Sequence, residues 1–565
     1  MKLPYGISNF KTIRQEKYLY VDKTKFIEPL ENAGKYVFFI RPRRFGKSLF
    51  LSMLQHYYDA GASEEFQELF GDLYVGQHPT PLRNQYLILK LNFSALNTNT
   101  ALEFEQSFKR RLAQGIQAFV QQYTNLLPDD LPRYNWQGDL PDVASMVISI
   151  VELVRRCNRK IYVIVDEYDH FANDVIAMGD APLYKEMIRA AGVVRDFYEA
   201  LKIGTSSTID RIFITGLSPI MLDDMTSGFN IATNLTINLA MNDMLGFTDD
   251  DMRSIIQKIE ATGREELLQT EMKRYYNGYC FHVDATRKVY NPDMVLYFFN
   301  EWRISGQYPS QMIDDNVKTD YGRLQRLIAN ERNRNQLDFI LRNETVCTTI
   351  VSKFSFDRMY DEEYFVSLLF YMGLLTITGS KYGQMELGIP NLVIRQLFWE
   401  YFERRIKEQT GLHYDTTELS KAVWELAFDG KLTPLIDFLN QRVLSVLSYR
   451  DLIQFDEKHL KILLLSYVAL SNIYTPISER ETVSGYTDIY LEPDFRLTGK
   501  PYKWLWELKY LKASDRNKLD LVIQQGKEQL KRYTSNLGPD GDQDIKMAVL
   551  VLVGKEEIVP ALIDQ

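Results

Sequence analysis

At 565 residues the chain is too long for one ordinary hydrophobic core, and about 150 residues per domain suggests three to four units. Hydrophobic residues at 45% and charged residues at 25% exclude a wholly disordered chain, a collagen-like fibre and a disulfide scaffold. A formal charge of −9 excludes a protein that coats nucleic acid with its whole surface, so any such contact needs a local patch.

In chain order, the first 12 residues, MKLPYGISNFKT, lack the apolar core of a secretory signal. Tyr36-Val-Phe-Phe-Ile40 is a short, continuous apolar run that predicts a buried strand. It leads into Arg41-Pro-Arg-Arg-Phe-Gly-Lys-Ser48, and Leu49–His56 then carries a helical apolar pattern. Strand, loop ending in Gly-Lys-Ser, then helix is the context of a phosphate-binding P-loop. The expected nucleotide-binding run is Arg43, Arg44, Phe45, Gly46, Lys47, Ser48 and Leu49. In it Gly46 lets the backbone approach, Lys47 neutralises phosphate oxygens and Ser48 ligates Mg²⁺. Arg41 stands where GxxxxGK[ST] has its first glycine. Arg43 and Arg44 read either as transition-state cations or as solvated loop residues.

Lys160–Val165 is a second buried-strand run, ending in Asp166-Glu167. An acidic pair there suits ATP hydrolysis, with Asp166 holding the Mg²⁺ shell and Glu167 orienting water. A helix-like stretch from Leu183 to Leu201 precedes a third strand, Arg211–Gly216, whose Thr215 reads either as a γ-phosphate sensor or as a strand cap. Thr248 and Asp251 have capping-box spacing ahead of a helical lid over 246–345. Over 346–410 a connector follows, with helix, turn and strand across Tyr364–Ile377 and a winged-helix-like unit as one reading.

In the last part, Leu460–Tyr467 reads as helix and Tyr474–Glu481 as strand. A turn at Val483-Ser-Gly485 leads to the strand Tyr486–Glu492. A third strand spans Tyr502–Tyr510, a helix Lys518–Tyr533, and a final strand Met547–Val553. Period-2 alternation puts Asp488 on one face, and Glu507 with Lys509 on one face of the next strand. If these sides pair, two carboxylates share a divalent ion that polarises a phosphodiester, and Lys509 steadies the attacking water or the growing charge. The plain alternative is an exposed hairpin with a cross-strand ion pair. From Lys503 to Arg532 eight bases stand against four acids, which fits phosphate contacts or a solvated helix face.

Leu3–Phe10, Tyr20-Val-Asp-Lys-Thr24, RPRRFGKS at 41–48, VDEYD at 165–169, ITGLSPI at 214–220 and YYNGY at 275–279 together resemble the bacterial AAA-ATPase-like family. Its members are commonly fused to a C-terminal PD-(D/E)XK nuclease domain, which the region 455–555 resembles. The resemblance implies Asp22 and Lys23 near the nucleotide and treats the arginine at 41 as a habit of the family. It also implies Asp488 and Glu507 as metal ligands, Lys509 as the catalytic lysine, and Gln529 and Tyr533 as helical support. Glu457 takes the place of a first-helix acid, and Pro493-Asp494 competes with Asp488 for the motif.

The expected fold class is α/β. It comprises a P-loop NTPase domain over 1–245, the lid, the connector, and a restriction-endonuclease-like α-β-β-β-α-β domain over 411–565. The expected activity is an ATPase coupled to a Mg²⁺-dependent nuclease, with Asp488, Glu507, Lys509 and Glu167 catalytic. Ser48, Asp166, Asp488 and Glu507 are the expected metal ligands, and Thr215 joins the nucleotide site. ATP and Mg²⁺ are the expected cofactors. Nucleic acid, DNA ahead of RNA, is the expected partner, and assembly of several copies is left open. A regulatory switch whose nuclease-like fold only docks partners, and a phosphoesterase of small nucleotides, are the rival readings. Three well-separated cysteines (Cys157, Cys280, Cys347), six scattered histidines and no bilayer-length apolar run point to a cytoplasmic protein without zinc or a membrane span.

Overall fold

Tyr36–Ile40 forms strand β1, buried from Val37 onward, as a strand covered on both faces must be. The computed structural model describes residues 1–128, 140–172, 192–220, 229–259, 263–315, 317–318, 330–354, 358, 361–447, 457–482, 485–534, 545–554 and 556–563. They fall into two compact units, residues 1–340 with 344–392, and residues 341–343 with 393–565. The residues from 183 to 191 and the turn residues Val483 and Ser484 lie outside the described set.

In the first unit, β1 joins β2 (Tyr86–Asn92), β3 (Lys160–Asp166), β4 (Ile209–Gly216) and β5 (Thr233–Asn234). The sheet is parallel, in the order β2-β3-β4-β1-β5. Parallel neighbours need crossover connections, supplied among others by the helices Lys47–Tyr58, Ala101–Gln122, Val143–Arg156 and Gly192–Gly204. Because β1, β4 and β3 run parallel, the loop after β1 and the acids ending β3 come to the same end of the sheet, with β4 between them. The carboxyl ends of parallel strands are where such sheets bind ligands. The sequence reading passes over two strands. The β2 run is broken by exposed Lys90 at the sheet edge, and β5 is only two residues long.

Arg41 turns away from the loop it begins. It is fully buried, and its guanidinium donates to the carbonyls of Ile40 (2.9 Å), Thr236 (2.6 Å) and Met241 (2.8 Å). The Phe39 and Phe281 rings lie 4.2 and 3.9 Å from it, measured centroid to Cζ, within cation–π range. Burial pushes its pKa down to about 9. The side chain ties β1 to the segment after β5.

Behind the same loop, Gly373 adopts φ +78°, and a Cβ there would sit 2.9 Å from the Pro42 ring. Phe45 stacks edge-on against Tyr279 and Phe281. The P-loop therefore has a packed back as well as an open front.

Thr248 and Asp251 form a reciprocal capping box at the start of the helix Asp249–Lys258. Further on, β6 (Thr345–Thr348), β7 (Thr376–Lys381) and β8 (Gln384–Gly388) make an antiparallel sheet in the order β6-β8-β7. The helix before β7, Glu362–Tyr371, is buried at every position from Tyr364 onward.

The second unit contains β9 (Tyr474–Thr482), β10 (Gly485–Pro493), β11 (Lys503–Leu511), β12 (Ile545–Val553) and β13 (Glu557–Ile563), paired in that order. Only β11 and β12 run parallel, linked by the crossover helix Leu519–Thr534. β13 extends the expected α-β-β-β-α-β order. It is an edge strand carrying Pro560, a residue that edges tolerate. Gly526 lets the crossover helix settle on the sheet, since a Cβ there would meet Val549 at 2.6 Å. Val549 pairs with Glu507, and Val551 with Lys509, in the parallel register, so the helix covers the face that carries both. Leu505, Leu511, Leu530, Val549 and Val551 form the apolar core around them.

Replacing Arg41 by Gly would restore the usual P-loop spelling yet remove the buried donor of the Ile40, Thr236 and Met241 carbonyls, of which Met241 keeps the Met244 amide. Each unsatisfied group costs about 1–3 kcal/mol. We expect Arg41→Gly to destabilise the chain by roughly 3 kcal/mol or more in denaturant unfolding, with no gain in nucleotide affinity. An unchanged unfolding midpoint would contradict this placement.

Candidate functional site

Gly46 (φ +90°) begins the helix Lys47–Tyr58 without a side-chain cap. The first backbone N–H groups of that helix are then available to an anion. Above them lies a cavity of about 510 Å³, within the usual range for small-ligand sites. Arg43, Arg44, Phe45, Gly46, Lys47, Ser48 and Leu49 line it, together with Glu167, His170, Lys23 and Asp293. Ile7, Leu19, Val21, Leu245, Phe247 and Leu296 give it an apolar part suited to a flat base.

Lys47 donates to the carbonyls of Arg41 (2.8 Å) and Pro42 (2.9 Å). Burial pushes its pKa down to about 8, while Asp166, Asp169 and Glu167 pull the other way. Phosphate oxygens would compete for the same amine. Ser48 Oγ lies 2.8 Å from Asp166 Oδ2, and Asp166 Oδ1 accepts the Glu167 amide at 3.0 Å. A hydroxyl beside a buried carboxylate at a phosphate-binding helix suits Mg²⁺, which binds through one or two carboxylates with water and phosphate completing its shell. Glu167 sits at φ +51°, which turns its side chain out into the cavity. Burial raises its carboxyl pKa.

Two expected residues are placed differently. Thr215 is buried and its hydroxyl donates to the Phe39 carbonyl at 2.6 Å. It ties β4 to β1 and is not among the cavity-lining residues, so γ-phosphate sensing gives way to strand binding. Asp22 accepts from the Thr24 amide and hydroxyl and from the Tyr74 amide, which makes it a turn former. Its neighbour Lys23 does reach the cavity and pairs with Asp251 at 2.9 Å. Arg44 pairs with Asp293 at 3.0 Å. Sequence reasoning missed Asp169. It is 1% exposed and accepts the Leu217 and Ser218 amides and the Ser218 hydroxyl. Its place in VDEYD, three residues after Asp166, is the only signal.

In the second unit, β10 and β11 pair antiparallel with Ile489 opposite Trp506. Asp488 thus lies beside Glu507. Asp488 Oδ2 accepts the Leu508 amide at 2.8 Å, and Lys509 Nζ bridges Glu507 Oε1 (2.7 Å) and Gln529 Oε1 (3.1 Å). Gln529 in turn donates to the Tyr533 hydroxyl at 2.8 Å. The exposed-hairpin alternative fails here, because Glu507 is 1% exposed. Glu507 Oε2 is buried without a hydrogen-bond partner among the described residues. Burial, then the Asp488 charge, pushes its pKa up to about 7, against the pull of Lys509. For Lys509 burial alone would lower the pKa. Its bond to Glu507 and the charges of Glu507, Asp488 and Glu457 carry it above the ordinary lysine value.

Asp494, the competing aspartate, is held by its own neighbour. Arg496 grips both its oxygens, at 2.7 and 2.8 Å. It follows the end of β10, six residues beyond Asp488 and about 20 Å along an extended chain.

Among the described residues no group of three or more His, Cys, Asp or Glu could hold a metal. An ion here would rest on two carboxylates, Asp488 and Glu507, with water and phosphate completing its shell. The orphaned, buried Oε2 of Glu507 fits that role.

Residues 4–226 match the family described as predicted AAA-ATPase, and residues 455–560 match the PD-(D/E)XK nuclease superfamily. An AAA-ATPase-like domain thus precedes a PD-(D/E)XK domain in this chain. A curated relative, the uncharacterised protein in the vnfD 5′ region of Azotobacter chroococcum mcd 1, is 27% identical over 303 residues. That match covers 53% of this chain and 52% of the relative, so the chain spans about half its relative's length. Among solved structures, the Walker-type ATPase paby2304 of Pyrococcus abyssi is similar at 12% identity and a TM-score of 0.36, covering 66% of this chain and 94% of that one. The Aeropyrum pernix Orc1 protein, solved in complex with DNA, is similar at 9% identity and a TM-score of 0.24, covering 68% and 93%. No helix among the described residues is long and apolar enough to cross a membrane.

The raised Glu507 pKa sets a pH dependence of stability. Unfolded, the carboxyl loses its proton near 4.5; folded, near 7. Stability is therefore lost as pH rises through that window, and above it the folded protein carries the full cost of a buried charge. Glu507→Gln should stabilise the metal-free chain at pH 8 by about 1–3 kcal/mol and have little effect at pH 5. Adding Mg²⁺ at pH 8 should raise the melting temperature of the parent more than that of the variant. Parallel pH profiles for the two proteins would contradict the buried-carboxyl assignment.

Proposed function

We propose that this protein binds and hydrolyses ATP in its first unit and cuts nucleic-acid phosphodiester bonds with a metal-dependent site in its second. Nucleotide state regulates the cutting. The observation that carries the nuclease reading is the convergence of Asp488, Glu507 and Lys509 around a buried carboxylate oxygen that has no hydrogen-bond partner among the described residues. A docking surface has no use for such a group, whose burial costs free energy.

Asp488 and Glu507 would hold the divalent ion, Mg²⁺ being the natural choice for an oxygen-rich site beside a phosphate. When bound, it would supply Lewis-acid polarisation of the phosphodiester and a more acidic water. Lys509, positioned by Glu507 and Gln529, places a fixed positive charge where negative charge grows on the phosphorus oxygens. Arg516, Lys518, Lys527, Lys531 and Arg532, on the 3₁₀ turn and helix after β11, supply phosphate contacts, with DNA the preferred substrate. Such contacts position a strand and carry no sequence information. In the first unit, Ser48 and Asp166 would hold Mg²⁺ with the nucleotide, Lys47 would meet its phosphates, and Glu167 would orient water. We place the protein in the cytoplasm, since Cys157, Cys280 and Cys347 are free thiols.

The test is a cleavage assay on single- and double-stranded DNA and RNA, with Mg²⁺ or Mn²⁺, with and without ATP. Glu507→Ala and Lys509→Ala should each lower cleavage by about 100-fold or more while nucleotide binding stays intact. Lys47→Ala should remove the ATP effect and cut at the rate of the unsubstituted protein without nucleotide. Persistent cleavage in the Glu507 variant would defeat the nuclease reading. An unchanged ATP response in the Lys47 variant would defeat the coupling.

A further inference from the structure

The run Asp166-Glu167-Tyr168-Asp169-His170 divides into pins and working groups. Asp166 is held by Ser48. The Tyr168 hydroxyl donates to the Ile220 carbonyl at 3.0 Å, and its amide to the Thr215 carbonyl at 3.3 Å. Asp169 holds the amides of the loop after β4. All three are buried. Asp169 also borders the cavity, its carboxylate taken up by those amides, and Glu167 and His170 line it alongside. The left-handed conformation of Glu167 turns the chain so that both side chains leave the same side. The His170 amide closes that turn on the Glu167 carbonyl at 3.2 Å. His170 Nδ1 then lies 3.6 Å from Glu167 Oε2. Catalytic hydrogen bonds are often this long without ligand and tighten in the reacting complex.

We propose that His170 is a positioning residue for ATP hydrolysis: its Nδ1–H fixes the carboxylate of Glu167 toward the attacking water. The inference rests on the hydrolytic reading of the cavity. Among the described residues, the other groups whose charges act most strongly on Glu167 are otherwise engaged or of the wrong sign. Asp166 and Asp169 are carboxylates, and Lys47 belongs to the phosphate path. Glu167 is 41% exposed at its side chain. Without a directing donor it would sample many rotamers, and a general base must lie within hydrogen-bond reach of its proton. Misplacement of a catalytic group by about 1 Å can cost roughly 100-fold in rate.

The experiment measures steady-state ATP hydrolysis and fluorescent-ATP binding on the full chain for four variants. Glu167→Gln should abolish turnover. His170→Ala should lower kcat by about tenfold or more while leaving KM, nucleotide Kd and melting temperature at parental values. His170→Asn should recover most of the loss, because its amide nitrogen occupies the place of Nδ1. His170→Leu, which fills the space without a donor, should not. Abolished turnover in Glu167→Gln with parental kcat in His170→Ala would overturn the positioning role alone. Parental turnover in Glu167→Gln would overturn the hydrolytic reading, and this inference with it. A loss in His170→Ala shared by kcat, Kd and melting temperature, unrescued by Asn, would show a merely structural side chain.

Discussion

Asp166 is 2% exposed and Glu507 is 1% exposed, and an ionised carboxylate in such a place must be matched by donors or by a cation. Both candidate sites are arranged around that requirement. In the first unit the match is complete without ligand, since Ser48 and the Glu167 amide take both oxygens of Asp166. In the second it is half complete. Lys509 satisfies Oε1 of Glu507, and among the described residues Oε2 has no partner. The geometry of β10, β11 and the crossover helix exists to hold that incomplete arrangement still.

The two units reach it by different routes. The parallel sheet places its chemistry on loops beyond the strand ends, where backbone N–H groups and a helix start point at the ligand. The mixed sheet places its chemistry within the strands, on a face roofed by the helix Leu519–Thr534. Close approach of that roof depends on Gly526. Loop-borne groups can rearrange around a nucleotide, whereas strand-borne groups are fixed by register. A site on the strands is therefore the more preorganised of the two.

Much of this was legible from the sequence wherever a short-range rule governs. Period-2 alternation puts Glu507 and Lys509 on one face, and four-residue spacing aligns Gln529 with Tyr533. The Thr248–Asp251 pair announced its own cap. Legibility ended where tertiary partners decide. Nothing local shows that the Arg41 standing in place of the first P-loop glycine is buried between Phe39 and Phe281, or distinguishes a Thr215 facing a ligand from one bonded to the neighbouring strand. β2 was hidden by one edge lysine and β13 by a proline, both at sheet margins where pattern is weakest. His170 was passed over because its meaning depends on the handedness of a single residue, Glu167, which composition does not reveal.

The packed back of the P-loop has an outcome for genetics. Gly373 lines no part of the nucleotide cavity, yet any side chain there would strike the Pro42 ring, whose own carbonyl holds the Lys47 amine. Saturation mutagenesis scored on nucleotide turnover would thus group this remote glycine with the phosphate-contacting residues. Suppressors of such lesions would be sought first at position 42, where a smaller residue restores the missing clearance.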